Sequence, residues 1–295
     1  MRFPATQPEV TCLPAEAGSV RRVLLYCLQD SGCTLLSMAL AQLPATVVVA
    51  DLFIRSRIPC PQDFRTSFQR AHPNGSIIVK MTLRAFGEPD EAAKRLSAIR
   101  AAFQPHLVIF FARDPWANYA RLSTQGYSRE QGAITAKFRH FDALFERRDA
   151  LANATLHYHE LSDASGVAAL VARLRELGIS RNASDVGRLL RFRLSPTTVH
   201  KEAIKYTSIF STDARGWPPL LYTKFGLGAL PGGLKANTSG LGSFREKVER
   251  DWRDFNESSM NQTWQEVRRL APHISTYYDE LRQRWRAGSL WVGPP

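Results

Sequence analysis

The chain contains no apolar run long enough to span a bilayer, and its first twenty residues hold prolines and acids but no hydrophobic signal core. Read as it stands, it is cytoplasmic and carries no membrane segment. Its four cysteines, Cys12, Cys27, Cys33 and Cys60, form no C-x-x-C pair and no metal-ligand spacing, so reduced thiols and no metal are expected. A long basic run, zinc-finger spacing and an aromatic RNA-binding motif are all lacking, which sets nucleic acid aside as a partner. Neither G-x-x-x-x-G-K-[ST] nor G-x-G-x-x-G occurs, so the ordinary nucleoside-triphosphate loop and the dinucleotide fingerprint are both missing. Internal repeats and low-complexity segments are absent too.

What remains is a basic chain with a large apolar fraction. Its 295 residues, 44% hydrophobic, can bury the core of one enlarged α/β domain, or of a domain with a helical appendage. Lys+Arg 39 against Asp+Glu 27 leaves net +12, which suits a polyanionic cofactor and an acidic acceptor. Apolar runs predict strands near 22–28, 46–50, 76–82, 106–112 and 154–159. Helical patterns lie between them, near 33–43, 62–71, 88–103, 115–148 and 166–178. This alternation predicts a three-layer α/β fold with a mainly parallel sheet. Residues 1–20 read as a tail and 21–180 as the α/β core. Residues 181–295 read as Pro- and Gly-rich lid loops, a loop closing on the cofactor, and amphipathic C-terminal helices from about 244 to 286 of the same domain.

The strand Val23-Leu24-Leu25-Tyr26-Cys27-Leu28 runs through Gln29-Asp30-Ser31-Gly32-Cys33-Thr34 into a helix opening Leu35-Leu36. Such a P-loop-like strand–turn–helix gathers backbone N–H groups and hydroxyls at one spot, where the helix dipole favours a phosphate or sulfate. A turn rich in Ser, Gly and Thr also serves simply to cap the next helix. Further on, His106-Leu107-Val108-Ile109-Phe110-Phe111-Ala112 ends at Arg113-Asp114-Pro115, with proline opening the next helix. Ligands of open α/β sheets bind at this strand edge, so Arg113 is placed to fork onto a phosphate. The alternative is a surface Arg paired with Asp114.

Together these motifs resemble the sulfotransferases that use 3′-phosphoadenosine 5′-phosphosulfate (PAPS). That family's turn, P-[RK]-S-G-T-T-L-L, cradles the phosphosulfate, and a later strand ending R-[DN]-P binds the 3′-phosphate. Leu156-His157-Tyr158-His159-Glu160-Leu161 is similar to its Y-E-[DE]-L strand, and Asn237 to Arg245 to its nucleotide-closing loop. The resemblance spans roughly residues 21 to 250 in order. It implies cofactor contacts at Asp30, Ser31, Gly32, Cys33, Thr34, Leu35, Arg113, Gly242, Ser243, Phe244 and Arg245. A family Ser eight residues after the Arg is Arg121 here, with Ser123 two further on. Asp30 reverses the charge of the family's turn Lys/Arg.

Sulfuryl transfer needs a base for the acceptor's proton and a cation at the leaving oxygen. Asp51 follows the second strand, where a subset of the family has a catalytic Glu, although an Asp there also serves as a helix N-cap. Ile77-Ile78-Val79-Lys80-Met81-Thr82 resembles the family strand K-x-H, with Lys80 retained and Thr82 in place of the His. His200, in the lid region, is a further candidate base. Cys33 near a helix start invites a nucleophilic reading, but a phosphatase-type loop needs an Arg six residues on, and Ala39 stands there. His157 and His159 alternate along a strand, one facing the core.

These residues predict a PAPS-dependent sulfotransferase acting on a small-molecule or glycan acceptor. Two alternatives stay open: a small-molecule kinase with a degenerate P-loop, and a non-catalytic relative that binds a nucleotide or glycan. Acceptor identity and oligomeric state have no sequence signal. Six of the seven asparagines, Asn74, Asn153, Asn182, Asn237, Asn256 and Asn261, begin N-x-[ST]. Such sequons matter only in a secretory lumen, so an N-terminal anchor preceding these residues would make a Golgi enzyme of the chain.

Overall fold

A computed structural model describes residues 20–50, 74–83, 103–124, 131–191, 199–202, 208–210, 225–227, 245–258 and 262–288, with a few positions between 94 and 101. The parallel strands are β1 (Arg21–Leu28), β2 (Thr46–Ala50), β3 (Ser76–Leu83), β4 (Leu107–Ala112) and β5 (Ala154–His157). β1 pairs with β3 and β4, β3 with β2, and β4 with β5, all parallel. Both faces of these strands are buried, and they read as near-continuous apolar runs for that reason. Leu24, Leu25, Phe110 and Phe111 are fully enclosed, each contributing about 1.5–3 kcal/mol by leaving water.

Successive residues of β1 feed two separate cores. Leu24, Tyr26 and Leu28 face α2 (Pro115–Thr124), α3 (Gln131–Glu146), α7 (Gln262–Leu270) and α8 (Pro272–Arg286). Val23, Leu25 and Cys27 face α1 (Cys33–Leu40), α4 (Ala164–Glu176), α5 (Asp185–Arg191) and α6 (Arg245–Ser258). The fold is therefore the expected three-layer α/β arrangement. The expected helix over 115–148 is two helices, and the expected strand over 154–159 stops at His157, where a 3-10 turn (Tyr158–Leu161) begins.

The sheet runs β5-β4-β1-β3-β2-β7-β6-β8. Its last three strands, β6 (Val199–Glu202), β7 (Ser208–Phe210) and β8 (Phe225–Leu227), are antiparallel additions beyond β2. Here the sequence reads as lid loops. Strands of three or four residues carry too few alternations to announce themselves.

Cys27 and Cys33 are joined by a disulfide, which corrects the expectation of reduced thiols for these two; Cys12 and Cys60 lie outside the described residues. One lies near the end of β1 and the other at the first position of α1, so the turn between them brings the sulfurs together. Cys33 is thus a clamp on the turn, not a free nucleophile.

Candidate anion-binding site

The chain passes from β1 through β2 and β3 on one side, then crosses β1 to form β4 and β5 on the other. α1, after β1, packs on one face of the sheet, while α2, after β4, packs on the opposite face. Helices that diverge in this way open a crevice at the C-terminal ends of β1 and β4. The turn after β1 and Arg113 after β4 both stand there.

The turn is held open by two left-handed residues, Asp30 (φ 60°) and Gly32 (φ 87°). Asp tolerates that region better than most side chains. At Gly32 a Cβ would fall 2.5 Å from the Tyr158 ring, so position 32 has no room for a side chain. Ser31 N–H closes the turn onto the Leu28 carbonyl at 3.2 Å, and the first bond of α1 runs from Leu36 N–H to Gly32. The N–H groups of Cys33, Thr34 and Leu35 precede that bond and point off the helix start. Ser31 is 1% exposed, yet its Oγ has no partner. An anion on these donors would supply the missing acceptor.

Arg113 is 8% exposed and does not pair with Asp114. Its Nη2 donates to Asp251 Oδ2 on α6 at 3.0 Å and its Nη1 to the Asp30 carbonyl at 3.3 Å, while its guanidinium lies 4.7 Å over the Tyr158 ring. Its Nε is buried without a partner. Asp114 caps α2 through Trp116 N–H at 2.9 Å, and its other oxygen accepts from Trp252 Nε1 at 3.0 Å and from Arg282. The surface-pair alternative for Arg113 therefore fails, because Asp114 is engaged by α2, α6 and α8.

Asp30 stands among cations. Burial raises its carboxyl above the usual range, opposed by Arg121, Arg113, Lys137 and Lys80. Its Oδ2 is buried and unpartnered. Lys80 shares the sheet face of Ile78 and Leu25, beneath α1, and is 6% exposed. Lys137, from α3, is also 6% exposed and donates to Gln29 Oε1 at 3.0 Å, while Asn118 Nδ2 holds the Gln29 carbonyl at 2.9 Å. A buried ammonium is costly unless something balances it. Sequence reasoning missed Lys137 and Asp251, since neither belongs to a motif.

Other expected residues scatter. Arg121 is exposed on the last turn of α2, within electrostatic reach of Asp30, and Ser123 follows on the same helix. Arg245 opens α6, exposed and paired with Glu249 at 2.8 Å. Gly242, Ser243 and Phe244, and the candidate base Asp51, lie outside the described residues. His200 is on β6, which stands four strand positions from β1, about 19 Å away at 4.8 Å per strand. That separation does not bring His200 to the cradle. His159 is not on a strand but in the 3-10 turn. His157 is buried between two tyrosines, its Nε2 2.9 Å from Tyr277 Oη and its Nδ1 3.3 Å from Tyr278 Oη. Burial, with help from His159, holds its pKa well below the ordinary histidine value.

No family model and no curated protein matches the chain. Among solved structures it is similar to shikimate kinase from Bacteroides thetaiotaomicron. The alignment has 19% identity and a TM-score of 0.30, covering 53% of this chain and 97% of that one. The fold class rests on the sheet order and the two helical layers. Among the described residues no helix is long and apolar enough to cross a membrane.

Proposed function

We propose that the chain moves a sulfuryl group from PAPS to a hydroxyl or amine of a carbohydrate or small-molecule acceptor. One observation carries the reading. The Ser31–Leu35 donors and Arg113 meet at the ends of adjacent strands, with Arg113 Nη1 3.3 Å from the Asp30 carbonyl of the turn, as an anionic cofactor lying across both strand ends requires. In this reading the turn holds the phosphosulfate, and Arg113 with Arg121 takes the 3′-phosphate. Lys80 and Lys137 supply the charge that the family places at position 30, meeting the negative charge that develops as the nucleotide leaves. Asp51 takes the acceptor's proton, a role that rests on the sequence resemblance.

A second reading is favoured by Asp30. A buried carboxylate oxygen without a partner, beside a phosphate cradle, is what a magnesium-bound phosphate would use in a small-molecule kinase. Calorimetric unfolding separates the two. Ligand at a hundred times its dissociation constant stabilises the protein by about 2.7 kcal/mol. Stabilisation by 3′-phosphoadenosine 5′-phosphate without magnesium supports the sulfotransferase reading. Stabilisation only by ADP with magnesium overturns it in favour of the kinase.

A further inference from the structure

Six of seven asparagines open an N-x-[ST] triplet, where chance gives roughly one in eight each. The structure sorts them. Asn118, which lies outside any such triplet, is 1% exposed and bonds to the turn through Gln29. Asn74, Asn153 and Asn182 are all exposed. Asn237 and Asn261 lie outside the described residues, and Asn256 is a backbone position of α6.

The three exposed asparagines share one end of the molecule. Asn74 stands just before β3 and Asn153 just before β5, at the N-terminal ends of parallel strands. α4 returns the chain to that same end, where Gly178 lies against the side chain of Arg21, the first residue of β1, and Asn182 follows four residues later. The cradle is at the opposite ends of the strands. We propose that Asn74, Asn153 and Asn182 are N-glycosylated, and that this edge of the sheet is a glycan-bearing face.

Local geometry allows the modification at Asn153 and Asn182, and Asn74 is exposed in a turn. Asn153 uses Oδ1 to accept the Val108 N–H at 2.7 Å, which leaves Nδ2 for the sugar. Asn182 engages its carbonyl, with Asp185 N–H at 3.1 Å, and not its side-chain amide. In the reaction Nδ2 bonds to the anomeric carbon of an oligosaccharide carried on a lipid pyrophosphate. The pyrophosphate leaves with the electron pair, and the amide gives up one proton. The Cys27–Cys33 disulfide agrees independently, because such bonds persist in the oxidising compartments where this donor is found. The inference stands whether or not the cradle takes PAPS.

Protein isolated from the cells that make it is treated with peptide N-glycosidase in heavy-oxygen water and digested. Labelled aspartate at 74, 153 and 182 is the expected result; unmodified asparagine at those positions overturns the proposal. In parallel, the full chain is secreted from a glycosylating host as Ser76→Ala, Thr155→Val and Ser184→Ala variants, which remove each sequon without touching its asparagine. Each should lose one glycosidase-sensitive step in gel mobility, and mobility identical to the parent in all three overturns it equally.

Discussion

The two ends of the parallel strands treat their polar groups differently. At the N-terminal ends the chain closes its own bonds: Arg21 N–H to Gly75, Ser76 N–H to Ala45, His106 N–H to Arg22, and Asn153 and Val108 to each other. At the C-terminal ends of β1 and β4, Ser31 Oγ, Asp30 Oδ2 and Arg113 Nε are buried with no partner. Buried polar groups are ordinarily satisfied, and each orphan costs about 1–3 kcal/mol. Three of the buried orphans among the described residues stand together on residues that follow two neighbouring strands, a grouping that suits a ligand. The N-terminal edge thus closes its bonds within the chain, while the turn after β1 and Arg113 after β4 keep donors and acceptors unmatched.

The largest break in that contrast is expected from Gly32→Ala. The left-handed backbone at 32 costs a non-glycine residue of order 1–3 kcal/mol, and the new Cβ collides with Tyr158. Nucleotide binding by titration calorimetry should disappear while the protein stays folded by circular dichroism. Full affinity in a folded variant would remove the turn from the site.

Arg113→Ala comes next. Losing charge-assisted bonds to a phosphate should weaken binding of 3′-phosphoadenosine 5′-phosphate by about 2 kcal/mol, some thirtyfold. Asp251→Asn acts in the other direction, because its carboxylate now holds Nη2, the group a phosphate would claim. Binding should tighten severalfold. If both variants bind like the parent, the Arg113–Asp251 pair is only a strut between β4 and α6.

The contrast also explains what was legible. The five parallel strands stand out because burial on both faces writes an uninterrupted apolar run, and Arg113 and the turn stand out because they punctuate such runs. Lys137 and Asp251 lie 108 and 138 residues from the groups they meet, Gln29 and Arg113, on helices whose local patterns are unremarkable. The adjacency of Arg113 and Asp114 misled in the opposite sense. Asp114 turns back to cap α2 and reaches Arg282, 168 residues on. Cys27 and Cys33 have no motif to declare them a pair; only the β1–α1 turn makes them neighbours.

A smaller and more diagnostic effect is expected at Asp30. Burial has already raised its pKa, and Arg121, Arg113, Lys137 and Lys80 hold that rise in check. A bound polyanion draws on the same cations, so the pKa rises further in the complex and binding takes up a proton. Affinity is then lowest above the bound-state pKa. It climbs as pH falls through that value and levels off below the free-state pKa. Asp30→Asn fixes the neutral form and should show the tighter affinity with a flat profile, apart from protonation of the nucleotide itself, which both proteins share. A parallel slope in the two proteins would show that Asp30 does not face the ligand.

The smallest effect tests the closed edge. Asn153→Ala removes the acceptor of the Val108 N–H, a bond made entirely within the N-terminal edge. One orphaned, partly buried N–H should lower unfolding free energy by about 1 kcal/mol in denaturant titration. Nucleotide affinity should not move, because the site lies at the other end of β4 and β1, and a parallel sheet buried on both faces transmits little from so local a loss. Equal stability would mean that water replaces the amide and the edge is less closed than its bonds imply. A changed affinity would mean that the two edges are coupled through β4, and the division between a finished edge and an unfinished one would fail.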